Sequence, residues 1–136
     1  MKTVIDSYAW VEIFKASSEG AAAKKQVEEA DEAFTPDVVL AELAAKYLRE
    51  GEGPDSIRDR LEAIAQATQV LEINIQVAQE SAKASLELIK RARAKGLSKP
   101  GLADAIVLAT TRTNHAKVLT GDPHFKDLPD TIWLSG

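Results

Sequence analysis

Lys2-Thr3-Val4-Ile5-Asp6-Ser7-Tyr8-Ala9-Trp10-Val11-Glu12-Ile13-Phe14 is the stretch whose reading decides the fold. Lys2 to Ile5 has the character of a short buried strand, and it stops at Asp6-Ser7. Tyr8, Trp10, Val11, Ile13 and Phe14 then recur at helical spacing, with Ser7 placed to cap the helix. A strand turning directly into a helix is the opening unit of an α/β domain.

Outward from that unit the pattern repeats. Glu19 to Ala30 predicts a helix with a charged outer face, Ala33 to Thr35 a short strand, and Pro36-Asp37 the start of a helix reaching Glu50. Gly51-Glu52-Gly53-Pro54 breaks the chain, and Ser56 to Ala67 is helical again. Gln69 to Ile73 reads as a strand, and Val77 to Lys95 as a long helix ended by Gly96, with Lys90, Arg91, Arg93 and Lys95 favouring its C-terminus. Ser98 or Lys99-Pro100 opens a helix through Asn114, Lys117 to Thr120 is a strand, and Thr131 to Leu134 another. Strands alternating with helices imply a parallel sheet covered on both faces.

Composition narrows the chemistry. The 136 residues suit a single domain over 1–136, and the 45% hydrophobic and 28% charged content is that of a chain able to close a core. Without cysteine, a metal has only oxygen ligands or the two histidines to bind it, and thiol or disulfide chemistry is excluded. Near the start an acid follows only two strongly apolar residues, which does not fit a signal peptide, and no stretch is apolar enough to span a bilayer. A cytoplasmic location away from membranes is the expectation. The formal charge of −4 argues mildly against nucleic-acid binding, yet setting four acids aside for a divalent cation leaves a formally neutral remainder.

Four acids stand out. Asp6 and Asp122 each follow a predicted strand, where the ligand crevice of an open α/β sheet lies. For either alone, turn or capping chemistry is an equal account. Glu42 interrupts Val38-Val39-Leu40-Ala41-Glu42-Leu43-Ala44-Ala45, and Asp104 interrupts Leu102-Ala103-Asp104-Ala105-Ile106-Val107-Leu108-Ala109. Helical spacing turns both toward the protein. The plainer alternatives are a Glu42–Lys46 ion pair and an early-helix acid favoured by the dipole. If the four converge within about 5 Å, each pair repels by roughly 3 kcal/mol at an effective dielectric near 20. A hard cation relieves that repulsion, and oxygen-only ligation suits Mg²⁺ or Mn²⁺. The chemistry this implies is metal-assisted phosphodiester hydrolysis. Asp6 and Asp104 would be principal ligands, Asp122 a ligand or outer partner, and Glu42 a group that orients water or serves a second metal. Ser7 and Thr120 are candidate hydroxyl donors for substrate positioning, although capping and strand propensity explain them nearly as well.

The segments Val4-Ile5-Asp6-Ser7, Leu40-Ala41-Glu42-Leu43, Leu102 to Ala109 and Val118-Leu119-Thr120-Gly121-Asp122-Pro123-His124-Phe125 together resemble the PIN domain, and more narrowly the VapC toxins of toxin–antitoxin pairs. The likeness covers nearly the whole chain. It implies a three-layer fold with a five-stranded parallel sheet in the order 3-2-1-4-5, a homodimer, and Mg²⁺- or Mn²⁺-dependent endonucleolytic cleavage of RNA held in check by a VapB-like antitoxin. The family's four acids carry over onto Asp6, Glu42, Asp104 and Asp122. A PIN nuclease of RNA processing is the alternative within that family. A receiver-type phosphoacceptor domain is the alternative outside it, and fits less well because Asp6 stands without a neighbouring acid.

Other residues receive plainer readings. His115 and His124 are too isolated to make a metal pair; His124, beside Asp122-Pro123, could reach the site edge, but a loop histidine without a ligand role is the better account. Lys90, Arg91, Arg93 and Lys95 are better explained as a solvated helix end than as a phosphate patch. Trp10, Phe14 and Phe34 are assigned to the core or a dimer interface, not to base stacking.

Overall fold

The computed structural model describes residues 1–134. Its centre is β1 (Lys2–Ile5), whose Val4 and Ile5 are wholly buried. A strand with no exposed face needs covering on both sides, and the connections supply it. Between β1 and β2 (Glu32–Pro36) run α1 (Ser7–Lys15) and α2 (Ser18–Glu29). Between β2 and β3 (Gln69–Leu71) run α3 (Asp37–Arg49) and α4 (Pro54–Ala67), and between β3 and β4 (Lys117–Thr120) run α5 (Ile75–Lys95) and α6 (Leu102–Thr113). A short 3₁₀ helix, Pro123–Phe125, leads to β5 (Thr131–Trp133).

All strand pairs are parallel, in the order β3-β2-β1-β4-β5, as the family resemblance implied. Val4 pairs with Val118 and Ile5 with Leu119, so β1 and β4 end side by side. The chain leaves β1 toward β2 on one side and returns to β4 on the other. The order therefore reverses between β1 and β4, where an open parallel sheet forms its ligand crevice beyond the strand ends.

Packing follows the sequence pattern with local differences. Trp10 and Phe34 are buried and Phe14 packs against the same core. Trp10 Nε1 donates to Thr35 Oγ1 at 3.2 Å, tying α1 to β2. Gly20 lets α2 lie on the end of α1, since a Cβ there would meet the Glu12 carbonyl oxygen at 2.0 Å. Three helix starts differ from expectation by two residues or more. Pro54, not Ser56, opens α4, because a proline in the first turn gives up no needed N–H. Asn74 caps α5 by accepting from the Val77 amide, moving its start to Ile75. Lys99-Pro100 stays outside any helix and α6 begins at Leu102. Among the described residues no helix is long and apolar enough to cross a membrane.

Candidate active site

The reversal point holds the acids. Asp6 terminates β1 and is almost fully buried, and its Oδ2 accepts a 2.8 Å hydrogen bond from the Thr120 hydroxyl at the end of neighbouring β4. Asp6 therefore occupies the N-cap position of α1 while its side chain serves the site, and Ser7 becomes the first helical residue. The expected Ser7 cap is corrected by this arrangement. Ser7 instead lines the cavity beside Asp6. Thr120 links two acids, for its Oγ1 also accepts from the Asp122 amide at 3.0 Å.

Asp122 is held by the turn that follows it. Its Oδ1 accepts from the His124 amide at 3.0 Å and lies 2.8 Å from His124 Nδ1. Gly121 is required by close approach, because a Cβ there would fall 2.4 Å from the Tyr8 ring. That ring is anchored by a 2.7 Å bond from its hydroxyl to Glu19. Asp104 enters from the first turn of α6, where its Oδ2 accepts from the Gly101 amide at 3.1 Å. Its capping role and its place in the site thus coexist. Glu42 comes from the middle of α3, half-buried, and lines a cavity of about 350 Å³ together with Asp6, Ser7 and Asp122. It does not pair with Lys46, which holds Glu50 at 2.5 Å instead.

The electrostatics register the crowding. Burial, then repulsion from Asp104 and Asp122, pushes the Asp6 carboxyl up to about 7 against the opposing Thr120 bond. Burial and the charges of Asp6, Asp104 and Asp122 push Glu42 up to about 7 as well. Asp104 is raised by burial and by Asp122, against the pull of the Gly101 amide. Thus all four acids predicted from sequence lie within electrostatic reach of one another.

His124 was missed. Asp104, Asp122 and His124 each offer a ligand atom within 4.8 Å of the others, so this histidine belongs to the rim of the site. Its Nε2 lies 2.8 Å from the Ser98 carbonyl oxygen, and its Nδ1 faces Asp122. Both ring nitrogens meet acceptors, which favours the doubly protonated ring. Burial opposes that form, but the Ser98 carbonyl and Asp122 outweigh it and raise the histidine pKa. The histidine two residues beyond a strand-end aspartate was the available signal, yet its other partner lies 26 residues away.

The donor set fits a hard divalent cation: three carboxylates with raised pKa, a fourth beside them, and no thiolate. In comparisons with known proteins, the PIN domain family model matches residues 3–130. No curated protein matches the sequence significantly. The fold is similar to that of the DNA-bound VapBC of Salmonella typhimurium, with TM-score 0.73, 16% identity and 99% of each chain covered. It is similar to a toxin–antitoxin complex from Klebsiella pneumoniae, with TM-score 0.73, 17% identity and 98% of each chain covered. The sarcin-ricin loop cleaving toxin VapC20 of Mycobacterium tuberculosis aligns with TM-score 0.63 and 15% identity, covering 90% of this chain and 92% of that one. At these identities the likeness is one of fold.

Proposed function

We propose, from the premise that this chain belongs to the PIN domain family, that it is a Mg²⁺- or Mn²⁺-dependent endoribonuclease acting as the toxin of a type II toxin–antitoxin pair. The observation that carries the reading is the gathering of Asp6, Glu42, Asp104 and Asp122 at the sheet's reversal point, with carboxyl groups driven up by burial and mutual repulsion. Family membership sets aside the receiver-type alternative. The solved toxin–antitoxin complexes of the same fold support a toxin over a processing nuclease. On this reading the partners are RNA, a VapB-like antitoxin and a second copy of the chain, in the cytoplasm.

Asp6, Asp104 and Asp122 would hold the cation, while His124, with both ring nitrogens turned to acceptors, orients Asp122. When bound, such a cation polarises a phosphate, lowers the pKa of a water and steadies the leaving 3′ oxygen. The protein's own contribution is orientation and proton handling. Thr120 fixes the Asp6 carboxylate, the Gly101 amide fixes Asp104, and the 122–124 turn fixes Asp122. Glu42, in the cavity wall beside Asp6 and Asp122, is placed to orient an attacking water and take its proton. Ser7 would position substrate from the cavity wall.

The test is cleavage of RNA and of single-stranded DNA with Mg²⁺, Mn²⁺ or chelator. RNA cutting that requires metal is expected. Asp6→Asn and Asp104→Asn should each lose more than about 100-fold, since even outer partners of a metal site are worth about 10–100-fold. Cutting in the presence of chelator, or full activity in both variants, would refute the mechanism. Growth arrest on expression, relieved by a small neighbouring reading frame, would distinguish toxin from processing enzyme.

A further inference from the structure

The cavity that holds the acids does not end at them. Its wall continues along α3 from Glu42 to Lys46 and Arg49, four and seven residues on, which is one face of a helix. Lys46 and Val11 also line an adjoining cavity of about 320 Å³, whose far wall includes Tyr47 and Arg60. A groove therefore runs from the carboxylates past Lys46 and onward.

We propose that Lys46 and Arg49 form a phosphodiester subsite that grips the RNA backbone next to the phosphate being cut, so that the strand leaves the acids along α3. The inference rests on the nuclease reading of the same site. A chain of formal charge −4 that brings a polyanion to four carboxylates needs cations beside them. The other cations lining the two cavities are Lys15 and Arg60. Arg60 pairs with Glu52 while covering the Tyr47 ring, and Lys15, in an exposed pair with Glu12, lines the adjoining cavity and not the one that holds the acids. Arg49 is exposed and makes no ion pair or hydrogen bond among the described residues, leaving its fork of donors free for a phosphate. Lys46 is held only by Glu50 one turn on, an exposed pair of little worth that a phosphate can displace.

Both cations also sit in the last turn of α3, where they complement the helix dipole. That role alone would affect stability and leave nucleic-acid binding untouched, which makes the two separable. The experiment is fluorescence anisotropy of a labelled 12-nucleotide oligouridylate in Mg²⁺ over a KCl series, with cleavage and melting measured in parallel. Wild type, Lys46→Gln, Arg49→Gln, the double variant, Lys46→Arg and Lys90→Gln are compared. The double variant should bind about 10-fold more weakly, and its slope of log affinity against log salt should fall by roughly 0.7 for each lost contact. Lys46→Arg should bind as wild type does, and Lys90→Gln should leave the slope unchanged. An unchanged slope in the double variant while the wild type cuts RNA overturns the subsite alone. So does an equal fall in Lys90→Gln, which would show a general charge effect. Failure of the wild type both to bind and to cut overturns the nuclease reading together with it.

Discussion

Two clusters of charge in this molecule are built on opposite principles. Where α5, α6 and the approach to β5 meet, Arg112 stands between two carboxylates, with Nε 3.1 Å from Asp130 and Nη1 2.5 Å from Glu87. The guanidinium holds Glu87 below its usual range, and the two acids raise Arg112 in turn. At the ends of β1 and β4 the carboxylates face one another instead, and Asp6, Glu42 and Asp104 are all raised. One cluster sets its carboxylates around a guanidinium, with Arg91 as a second cation acting on Glu87. The other leaves an excess of negative charge that an external cation can complete, and this separates a stabilising network from a binding site.

The sharpest test of the contrast is pH in the presence of chelator. Asp6 and Glu42 have folded-state values of about 7, above their ordinary 3.8 and 4.5, so the folded protein binds the additional protons. Their contribution to stability is complete below pH 4 and is lost as pH rises through 7. For buried Asp6 alone the loss is on the order of 4 kcal/mol. Glu87 has the opposite sign, contributing above its ordinary 4.5 and losing that contribution as pH falls through its lowered value. Melting curves from pH 4 to 8 should therefore flatten in Asp6→Asn, whereas Glu87→Gln should lie below wild type at neutral pH and approach it toward the acid end. A decline in Asp6→Asn parallel to the wild type would remove the electrostatic basis of the site.

Cation addition comes next in size. At 100 times its dissociation constant, Mg²⁺ or Mn²⁺ should stabilise the wild type and Glu87→Gln by about 2.7 kcal/mol, and Asp104→Asn by much less. Equal melting shifts in all three would place the cation elsewhere. The smallest effect is expected at the Arg112 cluster. Arg112→Gln should cost about 1 kcal/mol or less, because the pair is partly exposed, and should leave RNA cleavage unchanged. A large loss of cleavage there would mean that the two regions are coupled.

Much of this arrangement was legible in the chain. Asp6 and Asp122 were marked by following short apolar strands, and Glu42 and Asp104 by interrupting apolar helical runs, because burial periodicity is a local property. What escaped depended on distant partners. His124 was undervalued because the Ser98 carbonyl that orients it arrives from another loop. Ser7 was given a cap because its neighbour's bond to Thr120 spans 114 residues. Lys46 was weighed as a partner for Glu42, whereas it turned to Glu50 and left Glu42 facing the other acids.

By itself the sequence determined the alternation of strand and helix, the placing of acids at strand ends and on inward helix faces, and the lack of thiol ligands, since all of these follow from short-range spacing and composition. Only the tertiary structure decided that β1 and β4 end side by side, that His124 joins Asp104 and Asp122, and that Asp6 and Glu42 become reluctant to ionise. Desolvation and Coulomb repulsion act over a few ångströms, and those distances exist only once the chain has closed.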